Sequence, residues 1–259
     1  MQTSLRDWYD TPHDYDIIFD ADTAQEARFI LDAYATYAHG QKGMPTVIEP
    51  ACGSGRLLKA LANEGCRVHG FDLSDAMVEY ASHRVPEANV WKDRMESFNC
   101  PLKGYELAHC LVSTFKYLLT EVDARSHLMC VASHLRSGGI YVLGIHLTDY
   151  SNERCEHERW VGERDGRQVV CNTRTWPPDR RTRLEKIRTR LKITQNGRSE
   201  LQETHWAFRT YNAKQVKDLI KKVSPDLELV ACHDFQHDIR QTRELDDSYS
   251  DVVLILRRR

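Results

Sequence analysis

The sequence predicts an α/β fold: a doubly wound, seven-stranded sheet with an antiparallel β-meander inserted after the fifth strand. Three observations lead to this prediction. Residues 46–74 read as strand, glycine turn, helix and strand, which is the repeating unit of such a sheet. Residues 107–147 show a second strand, helix and strand. Residues 148–211 lose this alternation and carry hairpin turns at Asp165-Gly166 and Asn196-Gly197, which are typical of an antiparallel meander.

The glycine turn comes directly after the first predicted strand. Gly53 and Gly55 follow the apolar residues Val47 and Ile48, at the carboxyl end of the strand, where doubly wound sheets bind their ligands. The next predicted strand ends in Asp72, about 20 residues beyond the glycines. A carboxylate can accept hydrogen bonds from both hydroxyls of a ribose, so this spacing predicts a cofactor that contains a nucleoside.

The residues around the turn narrow the choice of cofactor. A dinucleotide-binding turn needs a third glycine, and Leu58 occupies that position. The Lys-Ser/Thr pair of a phosphate-binding P-loop is also absent from the turn. A nicotinamide or flavin cofactor is therefore disfavoured, as is a nucleoside triphosphate.

Two stretches of this region resemble a known family. EPACGSGR and the later GFDLSDAMVEYA are similar to the class I S-adenosylmethionine-dependent methyltransferases, in particular to their small-molecule branch of the type 11/25 kind. The resemblance implies a Rossmann-like fold and S-adenosyl-L-methionine as cofactor. Ala51 stands where the family has its first glycine, and we expect its methyl group to be tolerated. The residues that the resemblance assigns to the methionine part are Glu49, Ala51, Gly53 and Gly55, with Asp72 on the ribose and Leu73 beside the adenine.

A further part of the resemblance concerns the adenine. The segment KDRMESF is similar to the family segment whose acidic residue binds the adenine amino group. When Met95 is aligned with that pattern, Arg94 occupies the position of the acid, and Asp93 reaches it only after a shift of one residue. The resemblance therefore places Asp93, Arg94 and Met95 at the adenine and leaves open which of them makes the contact.

The resemblance divides the chain into four parts. Residues 1–43 would form a helical lid, residues 44–147 the cofactor-binding core, residues 148–211 the β insertion, and residues 212–259 a helix and a β-hairpin that complete the core. Lids of this family often present a tyrosine to the substrate, which makes Tyr9 and Tyr15 candidates. Packing of these rings against the core is an equally good interpretation. The insertion would cap the active site or form a dimer contact.

Composition limits the remaining possibilities. The 259 residues are 41% hydrophobic and carry a net charge of −2, which gives no general attraction to nucleic acid or to an anionic membrane. No apolar run is long enough to span a bilayer, and no signal sequence is evident, so we expect a cytoplasmic protein. The eight cysteines are scattered, which favours reduced thiols. His233 and His237 lack a third ligand at suitable spacing, so no metal site is predicted.

The second strand, helix and strand unit supplies the candidate catalytic residue. Residues 121–135 are predicted to form a helix with Val122, Leu128 and Leu135 facing inward, and the following strand ends near His146 on the ligand-binding edge. Histidine has an ordinary pKa of about 6.5, which suits a general base. His146 could instead only bind the insertion, and some methyltransferases use no base. Tyr15 could orient the acceptor.

The predicted function is methyl transfer from S-adenosylmethionine to an oxygen or nitrogen of a small molecule. Neither an Asp/Asn-Pro-Pro-Tyr motif nor a Pro-Cys nucleophile follows the fourth strand, so action on DNA bases is disfavoured. Two alternatives remain. The chain could bind the cofactor without catalysis, or it could methylate a protein or RNA through the insertion, whose residues 174–192 are rich in arginine and lysine. A solvated outer sheet face is the commoner meaning of such residues.

Overall fold

A computed structural model describes residues 3–259 and contains two β-sheets with six α-helices. Short 3-10 turns cover Trp8–Asp10 and Thr114–Tyr117. In chain order the strands and helices are β1 (Thr3–Leu5), α1 (Pro12–Phe19), α2 (Thr23–Tyr37), β2 (Thr46–Pro50), α3 (Arg56–Asn63), β3 (Arg67–Asp72), α4 (Asp75–Arg84), β4 (Asn89–Lys92), β5 (Tyr105–Cys110), α5 (Glu121–His134), β6 (Leu135–His146), β7 (Glu156–Arg164), β8 (Arg167–Thr175), β9 (Leu184–Gln195), β10 (Arg198–Arg209), α6 (Ala213–Val223), β11 (Leu227–Asp234) and β12 (Asp251–Arg258).

The larger sheet has seven strands in the order β11-β12-β6-β5-β2-β3-β4. Strands β4, β3, β2, β5 and β6 are parallel to one another. Strand β12 is antiparallel to both of its neighbours, β6 and β11, so β11 runs in the same direction as the five parallel strands. The predicted α/β class with a seven-stranded, Rossmann-like sheet is therefore confirmed. Because chain order reverses between β2 and β5, the carboxyl ends of these strands open the crevice where such sheets bind ligands.

Helices cover both faces of this sheet. Leu58 and Leu61 of α3 pack with Ile30 of α2 on one face, and Leu128 of α5 packs with Leu219 of α6 on the other. These apolar stripes recur at helical spacing, so each helix buries one side against the strands. The core is thus a three-layer structure that holds the strand ends in fixed positions.

The glycine turn after β2 depends on close packing against β3. A Cβ atom added at Gly70 of β3 would lie 2.7 Å from Leu58 Cδ1 and 3.0 Å from Cys52 Cβ. Such distances are shorter than carbon atoms allow, so only glycine lets the turn approach the strand. Gly55 has a φ of +72°, which glycine adopts without strain, and it is the N-cap residue directly before helix α3.

The smaller sheet has the order β1-β10-β9-β8-β7. Its last four strands are consecutive and antiparallel, and they are the insertion after β6, the fifth strand of the larger sheet. The short strand β1 pairs in parallel with β10, which sequence alone did not predict. Residues 1 and 2 of the predicted lid lie outside the described residues.

Helix α1 packs on the inner face of this smaller sheet. Trp8 and Ile17 are buried against Val169, Cys171 and Leu191 in a cluster separate from the main core. At Gly162 of β7 an added Cβ would lie only 2.3 Å from the carbonyl oxygen of Ile17. The backbones of α1 and β7 therefore lie in close contact at this point.

Two local predictions were wrong. Leu135 begins β6 rather than ending α5, because residues 135–139 already belong to the strand. Val122 lies in the first turn of α5 with 65% of its surface exposed. That turn faces solvent, since burial of α5 begins at Ala124.

Three further features of the described chain concern disulfides, membrane-spanning helices and metal ligands. All eight cysteines are free thiols. Among residues 3–259, no helix is long and apolar enough to cross a membrane, and no cluster of three or more metal-ligating side chains is found. The ring nitrogens of His233 are occupied by the Tyr37 hydroxyl at 3.0 Å and the Gln241 carbonyl oxygen at 2.8 Å.

Candidate active site

Two cavities adjoin at the carboxyl ends of the parallel strands. The first, which we call the sheet-edge cavity, has a volume of about 680 Å³ and lies over the ends of β2 and β3. The second, the meander cavity, has about 350 Å³ and lies between the lid, the end of β6 and the inner face of the smaller sheet. Four residues line both cavities: Tyr9, Tyr15, Thr114 and Tyr117.

Most of the predicted site residues line the sheet-edge cavity. The exceptions are Glu49, which lies in a small adjoining recess, Gly55, which is the N-cap residue of helix α3, and His146, which lies in the meander cavity. The predicted residues that line the sheet-edge cavity are Tyr15, Ala51, Gly53, Asp72, Leu73, Asp93, Arg94 and Met95.

Asp72 ends strand β3 with its carboxylate beside the glycine turn. Gly53 N donates to Oδ2 and Ser74 N donates to Oδ1, both at 2.9 Å. Burial raises the pKa of Asp72 even though these backbone hydrogen bonds act in the opposite direction. A carboxylate oxygen accepts more than one hydrogen bond, so both oxygens retain capacity for ligand hydroxyls.

Glu49 is buried at the end of β2 without a full set of partners. Its Oε2 atom has no hydrogen-bond partner among the described residues, and its Oε1 lies 3.6 Å from Nδ1 of buried His109. Burial raises the pKa of Glu49 well above its usual range and lowers that of His109 to about 3. A buried carboxylate oxygen without a partner is costly, and a bound ammonium group would satisfy it.

Two of the three residues that the resemblance places at the adenine, Asp93 and Arg94, have different hydrogen-bond partners. Asp93 accepts hydrogen bonds from Arg94 N at 2.8 Å and Asn99 N at 3.1 Å, and so closes its own loop. The Arg94 side chain pairs with Glu96 at 2.5 Å. Both residues line the sheet-edge cavity, with their side chains already paired within this loop.

Three tyrosines separate the two cavities. The Tyr9 hydroxyl donates to the Tyr117 hydroxyl at 2.6 Å, which joins the lid to the 3-10 turn after β5. Tyr15 lies beside them, with ring centroids 5.5 Å from Tyr9. Burial raises the pKa values of Tyr9, Tyr15 and Tyr117, so these phenols stay protonated. They can donate or accept hydrogen bonds but are poor bases near neutral pH. Sequence reasoning did not identify Tyr117.

Three aspartates of α1 and the residue that follows it form ion pairs with α4 and with the smaller sheet. Asp16 is fully buried and binds Ser54 Oγ at 2.8 Å and Arg164 at 2.7 Å, and it also pairs with Arg84. Burial alone would raise its pKa, but these hydrogen bonds and charges lower it. The lid is thus joined by ion pairs to α4 and to β7. The other two aspartates are Asp14, paired with Arg167, and Asp20, paired with Arg84 and Arg164.

His146 occupies the meander cavity at the end of β6. Its Nδ1 lies 2.8 Å from Asp251 Oδ1, and its backbone N donates to Ser113 Oγ at 2.8 Å. Burial would raise the pKa of Asp251, but the hydrogen bond and charge of His146 lower it. A carboxylate at Nδ1 favours the tautomer whose Nε2 can accept a proton. Sequence reasoning missed Asp251, because only the pairing of β12 with β6 brings it to His146.

These residues fit S-adenosylmethionine. The cavity volume suits a molecule of that size. Asp72 can bind ribose hydroxyls, and the unsatisfied Glu49 oxygen suits the ammonium of the methionine part. A Cβ added at Gly53 would lie 4.0 Å from Tyr15, so the turn leaves room beneath the lid.

Comparison with known proteins agrees with this assignment. Residues 47–139 match a family model described as a methyltransferase domain. A dTDP-4-amino-2,3,4,6-tetradeoxy-D-glucose N,N-dimethyltransferase of Saccharopolyspora spinosa is 34% identical over 98 residues, which are 38% of this chain and 39% of that protein. A dTDP-3-amino-3,4,6-trideoxy-alpha-D-glucopyranose N,N-dimethyltransferase of Streptomyces venezuelae is 26% identical over 144 residues, or 54% of this chain and 59% of that protein. The chain thus spans about half the length of the curated relatives it matches.

Solved structures share the fold over nearly the whole chain. An S-adenosylmethionine-dependent methyltransferase from Clostridium acetobutylicum ATCC 824 superposes with a TM-score of 0.76 at 16% identity, covering 96% of this chain and 98% of that one. A sugar N-methyltransferase from Streptoalloteichus sp ATCC 53650 has a TM-score of 0.74 at 17% identity, covering 100% and 96%. Residues 47–139 of this chain thus match a methyltransferase domain, and the whole chain shares its fold with these S-adenosylmethionine-dependent and sugar N-methyltransferases.

Proposed function

We propose that this chain transfers a methyl group from S-adenosylmethionine to an oxygen or nitrogen of a small-molecule acceptor. The cofactor would occupy the sheet-edge cavity and the acceptor the meander cavity. The observation that carries the proposal is their junction, where Tyr9, Tyr15 and Tyr117 line both cavities. Methyl transfer requires two bound molecules whose reacting atoms approach to about 3 Å in line, and adjoining cavities allow this.

The cofactor roles follow from the positions of the polar groups. We assign the ribose hydroxyls to Asp72, the methionine ammonium to Glu49, and the adenine to Leu73 and the loop of Asp93, Arg94 and Met95. The backbone of Ala51, Gly53 and Gly55 would lie against the methionine part. When bound, S-adenosylmethionine supplies a sulfonium methyl group that is already electrophilic. The protein therefore mainly has to orient the acceptor and exclude water.

His146 is proposed as the general base. Its Nδ1 hydrogen bond to Asp251 leaves Nε2 as the acceptor for the proton that an amine or hydroxyl loses on methylation. Asp251 would hold the ring in this tautomer and stabilise the imidazolium that results. Tyr15, which stays protonated, would orient the acceptor by a hydrogen bond. Such proton transfer contributes about 10²–10⁴-fold to rates in other enzymes.

The four-part division of the chain stays a proposal, with residues 1–43 as the lid and residues 148–211 as the cap. The ion pairs of Asp14 and Asp16 with Arg167 and Arg164 of the insertion support it. A cytoplasmic location is supported by the eight free thiols, since oxidising compartments favour disulfides.

A homodimer through the insertion is also proposed. Strand β7 is an edge of the smaller sheet, and its residues Trp160 and Val161 are 37% and 49% exposed. An edge strand with exposed apolar side chains can pair with a copy of itself. Analytical sedimentation of the wild-type chain and of the Val161→Lys variant would test this. The substitution places like charges on the two β7 edges that would pair, so the variant should be monomeric.

A second candidate function is methylation of an RNA through the outer face of the insertion. Arg174 and Arg188 lie opposite each other on β8 and β9, and neither has a carboxylate partner within the described residues. The meander cavity favours a small-molecule acceptor instead. The residues that line it adjoin the proposed cofactor residues, and neither arginine is among them. RNA binding that weakens steeply with salt would favour the second candidate.

Calorimetric titration with S-adenosylmethionine and S-adenosylhomocysteine tests the proposal. We expect micromolar binding of both, no binding of NAD, and loss of binding in Asp72→Ala. Asp218→Ala is the matched control, because this exposed carboxylate is paired with Lys214 and does not line the sheet-edge cavity. Absence of binding, or binding of NAD alone, would overturn the proposal. Binding without turnover of any acceptor would favour a cofactor-binding protein that lacks catalysis.

A further inference from the structure

The meander cavity has a wall of unusual composition. Nine aromatic rings line it, among them Trp8, Phe19, Trp160 and Trp206. Many of the rings contact each other, with centroids of Trp8 and Trp206 4.6 Å apart and those of Phe19 and Trp160 6.2 Å apart. Aromatic faces carry partial negative charge and attract cations, ammonium groups in particular.

The charged residues of the same wall are mostly acidic. Its carboxylates are Glu156, Glu158, Glu185 and Asp251, against one lysine and one histidine. The lysine, Lys116, is 1% exposed and is bound to Glu185 at 2.8 Å, so it is not free to bind a ligand.

Glu158 differs from the other three carboxylates. Glu185 binds Lys116, Asp251 binds His146, and Glu156 accepts a hydrogen bond from Asn152 at 2.7 Å. Glu158 has no hydrogen bond or ion pair with any of residues 3–259. It lies two residues from Trp160 on the same face of β7, so the Cα atoms of the two residues are about 7 Å apart along the strand.

We propose that the acceptor carries an ammonium group, which Glu158 and the rings of Trp160 and Phe19 bind, and that it carries no phosphate. This inference rests on the proposed function and names the substrate class of its acceptor site. An ammonium between Glu158 and Trp160 would lie beside the His146 and Asp251 pair, which can remove its proton before methylation. The methylated product would remain cationic.

The exclusion of phosphate follows from the same charges. A phosphate in this cavity would face Glu156, Glu158 and Asp251 and would find Lys116 already paired. The unpaired arginines Arg174 and Arg188 stack on Trp176, and neither lines the cavity. This chain should therefore differ from the curated relatives named above, whose names specify dTDP-linked sugars.

A matched series of three probes tests the inference: benzylamine, benzyl alcohol and benzyl phosphate, which differ only in the head group. Their affinities are measured by calorimetry or by NMR titration, with and without S-adenosylhomocysteine. We expect benzylamine to bind at least fivefold more tightly than benzyl alcohol, and benzyl phosphate not to bind. Benzyl phosphate binding as tightly as benzylamine would overturn the proposal.

Two variants test whether Glu158 is responsible for the preference for benzylamine over benzyl alcohol. Glu158→Gln should weaken benzylamine binding about five- to tenfold and leave benzyl alcohol unchanged. Glu163→Gln removes the same charge from an exposed site on the opposite face of β7 and should change neither affinity. Equal benzylamine affinity in Glu158→Gln and wild type would contradict the assignment. Failure of S-adenosylhomocysteine to bind would count against the proposed function alone, because the head-group series is also measured without it.

Discussion

His146 Nδ1 lies 2.8 Å from Asp251 Oδ1, although 105 positions separate the two residues in the chain. His146 ends β6 and Asp251 begins β12, and the antiparallel register of these strands makes them direct partners. A histidine and its carboxylate partner thereby line the meander cavity, which shares Tyr9, Tyr15 and Tyr117 with the sheet-edge cavity. The pairing makes a prediction about rate that is independent of cofactor binding.

Replacement of His146 should lower the turnover rate and leave cofactor binding unchanged. We expect His146→Ala to lower kcat about 10²–10⁴-fold, because the proton of the acceptor loses its base. Asp251→Asn should lower kcat less and alter the pH profile, because the ring loses the partner that fixes its tautomer. The measurement is the initial rate of S-adenosylhomocysteine formation with an amine acceptor from pH 5 to 9. His146 does not line the sheet-edge cavity, so unchanged kcat in His146→Ala would remove it as the base.

Glu49→Gln should stabilise the cofactor-free protein and weaken cofactor binding. Burial raises the pKa of Glu49 above its unfolded value of about 4.3, so the folded state holds this proton more tightly. The stability associated with Glu49 is therefore complete below about pH 4 and falls as the pH rises toward the raised pKa. Glutamine does not ionise, so Glu49→Gln should not lose stability in this way as the pH rises. We expect the free energy of unfolding to increase by about 1 kcal/mol, which corresponds to a Tm increase of about 2–4 °C.

The same substitution, Glu49→Gln, should weaken binding of the cofactor through its methionine ammonium group. Calorimetry should show S-adenosylhomocysteine binding at least tenfold more weakly to Glu49→Gln than to wild type, because the ammonium loses an ionic partner. Glu64→Gln, an exposed glutamate just beyond α3, serves as control for the change in net charge. Equal affinity in Glu49→Gln would place the ammonium elsewhere.

Gly162→Ala should displace the lid. The added Cβ would lie 2.3 Å from the Ile17 carbonyl oxygen, so helix α1 must move away from β7 by about 1 Å or more. We expect a loss of about 1–3 kcal/mol in stability and faster amide exchange in residues 12–19. Val161→Ala is the control, because its side chain is exposed on the other face of the same strand. Unchanged exchange in Gly162→Ala would show that the contact is loose.

Ala51→Gly should raise stability. Ala51 has a φ of +53°, a conformation that costs an L-residue about 1–2 kcal/mol and costs glycine little. The greater freedom of glycine in the unfolded chain offsets part of the gain, so we expect about 0.5–1 kcal/mol net. Ala76→Gly, in helix α4 beside the same cavity, should instead lose about 1 kcal/mol. Chemical denaturation of both variants measures the difference. A loss of stability in Ala51→Gly would mean that the methyl group makes a favourable contact.

The cofactor side of the site was largely predictable from the sequence. Gly53, Gly55 and Asp72 lie within one strand, turn, helix and strand unit, whose local geometry is fixed by residue periodicity and by glycine. The segment of Asp93 to Met95 lies one strand further on and reaches the same cavity. Such short-range units place side chains with little dependence on the rest of the fold.

The acceptor side depends on contacts between distant parts of the chain. Tyr9 meets Tyr117 across 108 residues, Asp16 meets Arg164 across 148, and His146 meets Asp251 across 105. Strand register and lid packing bring these residues together, and neither is encoded by local spacing. The carboxylate excess of the meander cavity likewise depends on which face of β7 turns inward, since a shift of one residue would exchange Glu158 with His157.

The sequence by itself determined the α/β class, the seven-stranded sheet and the positions of the glycine turn and of Asp72 beside it, because these follow from periodicity within short segments. Only the tertiary structure decided that Asp251 orients His146, that three tyrosines separate two cavities, and that Glu158 stands unpaired among aromatic rings. The physical reason is that these arrangements result from long-range strand pairing and burial, which the linear spacing of residues does not specify.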